Sequence, residues 1–497
     1  MASRVATARE AARRARAPGL AALEAWLRIP SVSGDPARRA DLDRSARWVA
    51  DRLRRVTPSV RTVASRDGPT VLACTQASPR AASRRHRPAV VVYGHLDVKP
   101  AGPGWTTPPF EPTRRGRRLA ARGASDDKGQ LLAHLLAVEA WTSVGGPPCD
   151  VAVIVDGAEE IGSPGLADVL ASFSREHRLA GRVAAVLVSD TRAVGPGKPS
   201  VTVSQRGLVS LRVTVDVGGA PVHAGRFGGA VIDPSAVLIR SLAAAYDALP
   251  GPLPTRVARA ALPTDATVRR TAAGRALVAD RPAARSSVES ALTVTRLRAG
   301  DAPGTIPTTA SAELDVRLPP LASPVAAGTR IANALAASGT PGVSVRVEPC
   351  GSVRGSVLEH PAAVWAAIDA ACRAGFGTTP GLVASGGSIP AVAMLATAFG
   401  VSPILLGLGP ADDHAHGPDE YLDLDDWWRG IDTSVVLLQG LTDLGTARIR
   451  EHGTLGPETS AARHGYIGRG RDKGEAPMLG WGVEAPVRTS GVVDDKW

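Results

Sequence analysis

Residues 89–98 read Ala-Val-Val-Val-Tyr-Gly-His-Leu-Asp-Val, an apolar run that ends just before a polar cluster around His95. A short, continuous apolar run of this kind is typical of a parallel strand that is buried on both faces. The glycine after Tyr93 and the polar residues behind it end the run. Residues 89–93 are therefore predicted to form a central strand, with His95 just beyond its carboxyl end.

The same pattern continues outward from this strand. Further apolar runs lie at 151–155 and 183–188, and residues 128–141 place leucines at helical spacing between the first two runs. Strand, helix and strand in this order indicate an α/β fold. We predict a mixed, mainly parallel sheet that is flanked by helices.

The pattern changes after about Pro199. Residues 211–217 and 312–318 alternate apolar and polar side chains, as half-exposed antiparallel strands do. Between these two stretches, Asp233-Pro234 begins an apolar helix that runs to about Leu249. The α/β pattern then returns with a helix near 361–372, a strand at 403–408 and a helix at 425–445. An α+β domain is therefore predicted to be inserted into the α/β domain.

The composition is that of a globular protein. Of the 497 residues, 44% are hydrophobic and 21% are charged, which is close to the average for soluble proteins. The net charge of +11 comes mainly from scattered arginines, and only 4% of residues are aromatic, so neither a nucleic-acid nor a membrane partner is expected. The four cysteines lack CxxC spacing, and the N-terminal residues lack the apolar region of a signal peptide. A cytoplasmic location is the expectation.

Most of the polar clusters follow the ends of predicted strands. Their chemically interesting members are, in chain order, His95, Asp97, Asp126, Glu159, Glu160, Asp190 and His416. In α/β sheets, ligands bind at the carboxyl ends of strands, so these side chains can converge. Histidines and carboxylates without thiolates suit a pair of divalent cations. Such a pair needs a bridging carboxylate and activates water, while a carboxylate outside the coordination shell carries the proton.

Three of these clusters resemble the signatures of a known family. They are Gly94-His95-Leu96-Asp97-Val98, Arg122-Gly123-Ala124-Ser125-Asp126-Asp127-Lys128-Gly129-Gln130 and Glu159-Glu160-Ile161-Gly162-Ser163. They are similar to the cocatalytic zinc peptidases typified by carnosinase, succinyl-diaminopimelate desuccinylase and carboxypeptidase G. The resemblance is closest to the dipeptidase branch and extends from about Leu23 to about Gly445.

The resemblance implies two divalent metal ions, zinc in the first place, with manganese or cobalt as alternatives. By this resemblance His95 and Asp190 bind one ion, Glu160 and His416 bind the other, and Asp126 bridges them.

It also implies that Glu159 is the general base and acid, and that Asp97 holds the His95 ring by its other nitrogen. The non-proline cis peptide bond of the family falls at Asp126-Asp127.

The inserted domain resembles the family's dimerisation lid, which implies a homodimer. His223 resembles a lid histidine that reaches into the active site of the partner subunit. Arg317 resembles an arginine that holds the substrate carboxylate. Gly387 and Ser388, within Gly386-Gly387-Ser388-Ile389-Pro390, resemble residues of the same substrate pocket.

The predicted domains are therefore a catalytic domain in two parts, an inserted lid and a tail. The first catalytic part spans 1–199, the dimerisation lid 200–350, the second catalytic part 351–447, and a tail that reads as disordered 448–497.

The sequence departs from the family at positions that bear on the substrate. Ala384-Ser385 stands where dipeptidase relatives carry Arg-Glu, and His414 stands where glycine is usual. The metal ligands are intact, so we predict a hydrolase of the amide bond in dipeptides or similar small substrates with a free C-terminal carboxylate. Two alternatives stay open, a deacylase of N-acyl amino acids with the same metal centre and a non-catalytic binding homologue.

Overall fold

A computed structural model describes most of the chain. The described residues are 2–75, 87–251, 280–300, 302–337 and 343–452, with the short pieces 261–263, 268–269, 275–278, 340 and 483–484. Of the predicted tail at 448–497, residues 453–482 and 485–497 lie outside the described part.

Helices and strands alternate along most of this chain. The helices are α1 Ala2–Arg14, α2 Arg16–Leu27, α3 Arg39–Leu53, α4 Lys128–Ser143, α5 Leu166–Glu176, α6 Ala224–Phe227, α7 Pro234–Asp247, α8 Pro282–Ser287, α9 Pro324–Ala337, α10 Ala362–Phe376, α11 Pro390–Phe399 and α12 Leu424–His452. The strands are β1 Val60–Val63, β2 Thr70–Thr75, β3 Ala89–His95, β4 Thr113–Arg115, β5 Arg118–Ala120, β6 Asp150–Asp156, β7 Val183–Val188, β8 Ser200–Gln205, β9 Gly207–Asp216, β10 Val222–His223, β11 Ala291–Ala299, β12 Thr305–Ile306, β13 Thr309–Leu318, β14 Ser344–Val353, β15 Ser356–Val357, β16 Gly381–Ser385, β17 Ile404–Gly407, β18 Tyr421–Asp423 and β19 Val483–Glu484.

The larger sheet is mixed, as predicted. Its order within the described residues is β1-β2-β6-β3-β7-β17-β8-β15, and β16 pairs with β8. The central strands β6, β3, β7 and β17 are parallel to one another, while β1, β2, β8 and β15 add antiparallel pairings. The predicted strand at 89–93 is confirmed and extends to His95.

Helices cover both faces of this sheet, which is why its strands are apolar on both sides. In β3, Val90 and Val92 face a core that includes Leu131 and Trp427, whereas Val91 and Tyr93 face the core beneath α5 and α11. The helix predicted at 128–141 is confirmed as α4 and is buried along nearly its whole length.

The smaller sheet has its own core. Strands β11, β13, β9, β14 and β19 pair in that order, all antiparallel. Apolar residues of alternate positions in β9 and β13 pack against α7 and α9, including Val237, Leu238 and Ile331. β8 belongs to the larger sheet and β14 ends at Val353, so the four main strands of the smaller sheet lie between Gly207 and Val353.

Across the described residues, no helix combines the length and the apolar character that crossing a membrane requires.

Candidate metal centre

The candidate site lies at the edge of the larger sheet where its parallel strands end. His95 is the last residue of β3 and pairs with Asp156, the last residue of β6. Strands β7 and β17 end nearby, because Tyr93 pairs with Val188 and Val188 pairs with Leu405. The segments that follow these four strands therefore converge on one edge of the sheet.

These following segments carry the other candidate ligands. A short 3-10 turn at Glu159–Ile161 follows β6, and Asp190 follows the end of β7. The Asp126–Asp127 peptide bond, just before α4, is cis, which confirms the expectation from the resemblance. His416 lies in the loop after β17 and has a left-handed backbone with φ of 64°.

Two groups of side chains meet around Asp126. In the first, His95 Nε2 lies 3.0 Å from Asp126 Oδ1 and 4.0 Å from Asp190 Oδ2. In the second, His416 Nε2 lies 3.0 Å from Asp126 Oδ2 and 3.1 Å from Glu160 Oε2. Each oxygen of Asp126 serves a different group, as the two oxygens of a bridging carboxylate do.

The geometry of both groups fits divalent cations. Zinc bonds of about 2.0–2.1 Å to nitrogen and oxygen put neighbouring ligand atoms of a tetrahedral site about 3.3 Å apart. The four N···O distances above are 3.0–4.0 Å, and the ligand atoms of each group lie within 4.8 Å of one another. Imidazole and carboxylate ligands without thiolate also suit manganese or cobalt.

Asp97 contacts the first group through the other ring nitrogen of His95. His95 Nδ1 lies 3.0 Å from the backbone oxygen of Asp97 and 3.4 Å from its Oδ1 atom. A proton on Nδ1 satisfies these acceptors and leaves Nε2 free to bind a metal ion. The Asp97 carboxylate also accepts hydrogen bonds from the backbone N–H groups of Glu159 at 3.2 Å and Glu160 at 3.0 Å. Asp97 thus fixes both the ring and the glutamate turn, a wider contact than the resemblance implied.

Several buried carboxylates lie close together in the candidate centre. Burial raises the pKa of Asp190 well above its usual value, and the charge of Asp126 raises it further. Burial also raises the pKa of Glu159 to about 8, although His95 opposes this shift. Burial would likewise raise the pKa of Asp126, but hydrogen bonds from His416 and His95 hold it well below its usual range. Bound cations would neutralise such a cluster, because they favour the ionised carboxylates.

The predicted substrate residue Arg317 is held in a fixed orientation. Its Nε and Nη2 atoms donate to the two carboxylate oxygens of Asp315 at 3.0 and 3.2 Å, and Nη1 donates to Ser388 Oγ at 3.3 Å. The Ser388 hydroxyl donates in turn to the backbone oxygen of Arg206. Because the hydroxyl is engaged on both sides, Ser388 acts on Arg317 by orienting its guanidinium.

Two other predicted residues, His223 and Gly387, belong to neither group of candidate ligands. His223 is exposed at the end of β10. Within the described part of the chain, no hydrogen bond or ion pair joins it to the five candidate ligands. Gly387 is also exposed and donates its backbone N–H to Ser385 Oγ at 3.1 Å. A single chain therefore brings the candidate metal ligands together without His223.

Sequence reasoning missed several polar residues that contact the site. Asp413 and Glu420 accept hydrogen bonds from the loop that carries Asp126, and Lys99 Nζ lies 3.3 Å from Glu160 Oε2. Asp413 belongs to a polar cluster that the sequence displays beside His416, which is a signal that could have found it. Glu420 carries no such signal, because its partners lie almost 300 residues away.

The chain is similar in sequence to a family of peptidases. The family model of peptidase family M20/M25/M40 matches residues 91–439. The chain is 36% identical over 154 residues to a Cys-Gly metallodipeptidase of Schizosaccharomyces pombe, which covers 30% of this chain and 32% of that protein. It is 32% identical over 237 residues to the human Beta-Ala-His dipeptidase, covering 45% of this chain and 46% of that protein. The chain thus spans about a third to a half of the length of these curated relatives.

Solved structures share the fold along nearly their whole length. Human carnosine dipeptidase 1 superposes with a TM-score of 0.75 at 23% identity and covers 88% of this chain and 99% of that chain. The Saccharomyces cerevisiae dipeptidase Dug1p superposes with a TM-score of 0.74 at 22% identity, with coverage of 88% and 98%. At such identities the likeness establishes the fold alone.

Proposed function

Because the chain belongs to peptidase family M20/M25/M40, we propose that it is a dinuclear metal-dependent dipeptidase. The proposed reaction is hydrolysis of the amide bond in a dipeptide or similar small substrate with a free C-terminal carboxylate. The observation that carries the proposal is the placement of Asp126, whose two oxygens each face a histidine nitrogen at 3.0 Å.

The chemistry is divided between the ions and Glu159. When bound, the two ions polarise the scissile carbonyl and make a water molecule more acidic. Glu159 takes a proton from the attacking water and delivers it to the amide nitrogen as the C–N bond breaks. The products are a carboxylate and a free amine. Glu159 suits this role because it adjoins Glu160 and lies outside both ligand groups, and because Asp97 holds its backbone N–H.

The substrate is oriented through its carboxylate by Arg317. A guanidinium that Asp315 and Ser388 hold in place loses little side-chain entropy when it binds an anion. Gly387 directly precedes Ser388 and is proposed to belong to the same substrate pocket.

The inserted segment predicted at 200–350 is proposed as the dimerisation lid. Large apolar side chains are exposed on it, notably Ile239 at 62% and Leu297 at 58%. Leu297 lies on β11, the edge strand of the smaller sheet in the described residues, and such an edge readily pairs with a second copy. In the homodimer, His223 reaches the metal centre of the partner and stabilises the developing oxyanion.

Metal analysis combined with a substrate panel tests the proposal. Purified protein should bind two equivalents of zinc, manganese or cobalt and hydrolyse dipeptides, and a chelator should abolish this activity until metal is restored. The same panel includes N-acetyl amino acids, which lack the free amino group of a dipeptide. Hydrolysis of these compounds alone would identify a deacylase instead, and bound metal without any hydrolysis would identify a binding protein.

A further inference from the structure

We infer that Glu420, together with Asp413, is a positioning residue of the metal centre. These two buried carboxylates of the 412–420 loop hold the backbone turn that presents Asp126 to both ions. The inference rests on the proposed metal centre and adds two residues that coordinate neither ion.

Glu420 gathers the donors of the turn that carries Asp126. It is fully buried, and its Oε1 atom accepts from the backbone N–H groups of Ser125 at 2.9 Å and Asp126 at 3.0 Å. Its Oε2 atom accepts from Gly123 N–H at 3.1 Å and from Arg122 Nη1 at 2.7 Å. A carboxylate offers about four acceptor sites, and these four donors fill them. Glu420 therefore has no lone pair left for a metal ion.

Asp413 ties the same turn to the other ligand loops. Its Oδ2 atom accepts from Ser125 Oγ at 2.6 Å, and its Oδ1 atom accepts from Arg192 Nε at 2.7 Å and from the backbone N–H of Ala415 at 3.1 Å. Arg192 follows Asp190 closely, and Ala415 directly precedes His416. One buried carboxylate thus links the three segments that supply Asp126, Asp190 and His416.

Fold stability alone does not explain such an arrangement. Replacing a buried ion pair by apolar residues is often neutral or stabilising, so a fully buried Arg122–Glu420 pair needs another reason. Asp126 has to direct its two oxygens at nitrogens on opposite sides, each 3.0 Å away. A ligand must be held within about 0.5 Å of its productive position, and the backbone hydrogen bonds to Glu420 supply that constraint.

The decisive experiment uses the full-length protein with the substitution Glu420→Gln. The amide keeps the size of the side chain but replaces one acceptor oxygen by a donor. In either orientation this donor opposes two N–H groups, those of Ser125 and Asp126 or those of Gly123 and Arg122. Metal affinity, measured by competition with a chromophoric chelator, should fall about 10- to 100-fold. The visible absorption spectrum of the cobalt-loaded variant should also change, because the ligand geometry changes.

Asp419→Asn is the matched control. Asp419 lies in the same loop, but its carboxylate accepts from Thr106 N–H and Oγ, away from the ligand turn. This variant should keep wild-type affinity and the wild-type cobalt spectrum. A purely structural Glu420 would lower the melting temperature of Glu420→Gln and leave affinity and spectrum unchanged, and that result overturns the inference.

If Glu420→Gln does not fold, Ser125→Ala decides the matter. It removes only the hydroxyl that donates to Asp413, and metal affinity should fall by a smaller factor. Unchanged affinity in Ser125→Ala would overturn the inference. Wild-type protein that binds two equivalents of metal but cleaves no dipeptide would refute the proposed function and leave this inference standing.

Discussion

The substitution Glu159→Gln separates the proposed proton carrier from the metal ligands. Glutamine has almost the same shape as glutamate but cannot accept a proton. The backbone of residue 159 is held by Asp97 Oδ1 at 3.2 Å, and Glu159 belongs to neither ligand group, so the fold and both ion sites should persist. General base catalysis contributes about 10²–10⁴-fold in rate, so kcat should fall by that factor, or about 2.7–5.4 kcal/mol of transition-state stabilisation.

Stability adds an independent check on the same variant. Burial raises the pKa of Glu159 to about 8 in the folded, metal-free chain, above the usual value for glutamate. A raised carboxyl pKa means that the folded state favours the protonated form, so the wild type loses stability as the pH rises above the usual value towards 8. Glutamine mimics the protonated carboxyl. The metal-free variant should therefore be at least as stable as the wild type at pH 7.

The assay combines steady-state kinetics on a dipeptide, metal analysis and denaturant unfolding of the metal-free protein. Glu111→Gln, which alters an exposed glutamate outside the site, serves as the control. Near-normal kcat in Glu159→Gln would refute the assignment of the proton carrier. Loss of metal from that variant would show instead that Glu159 is a ligand.

Further predictions concern the ligands, the lid, a buried histidine and the tail. Asp126→Ala should lose metal and with it activity, and two retained equivalents would exclude a bridging role. Glu159→Gln and His223→Ala should each be nearly inactive as homodimers. Random co-assembly of the two variants should restore about a quarter of wild-type activity, because half of the dimers then contain one intact site. If heterodimers are shown to form but activity does not recover, His223 does not act in the partner's site. Burial lowers the pKa of His134 to about 4, so stability should fall as the pH drops from about 6.5 towards 4, and a His134→Gln variant should lack this part of the pH dependence in urea unfolding. Ending the chain after His452 removes β19, which pairs with β14 at the end of the smaller sheet. Specific activity should stay unchanged, since the tail shows no site motif; a loss of activity or of the dimer would show that the tail is needed for either.

The central strands and the clusters that hold the candidate ligands could be found in the sequence because their signals are local. The runs at 89–93 and 183–188 are apolar on both faces, and β3 and β7 occupy these positions. Each candidate ligand stands in a short polar cluster just beyond such a run or at the start of a helix. The geometry of an α/β sheet then brings these clusters together without further information.

Features that depend on distant parts of the chain were not predicted. β8 lies within 200–350, the range assigned to the inserted lid, yet it pairs with β17 in the larger sheet and is buried throughout. Ser200 is satisfied there by donating to the backbone oxygen of Arg192 at 2.6 Å. The role of Glu420 is equally hidden, since only the folded chain brings it to Asp126.

The candidate metal centre brings carboxylates close together, although burial disfavours the charges that a metal ion requires of them. Without ions, Asp190 and Glu159 lie close to Asp126 in a site where burial raises their pKa values and so disfavours their charges. The carboxyl groups of Asp97, Asp413 and Glu420 are each matched by N–H donors of the loops that they hold. These three carboxylates therefore stabilise the shape of the site and leave the ligand charges for the ions to neutralise. It follows that metal binding should stabilise the fold itself. Altering the three supporting carboxylates should change metal affinity before it changes substrate preference.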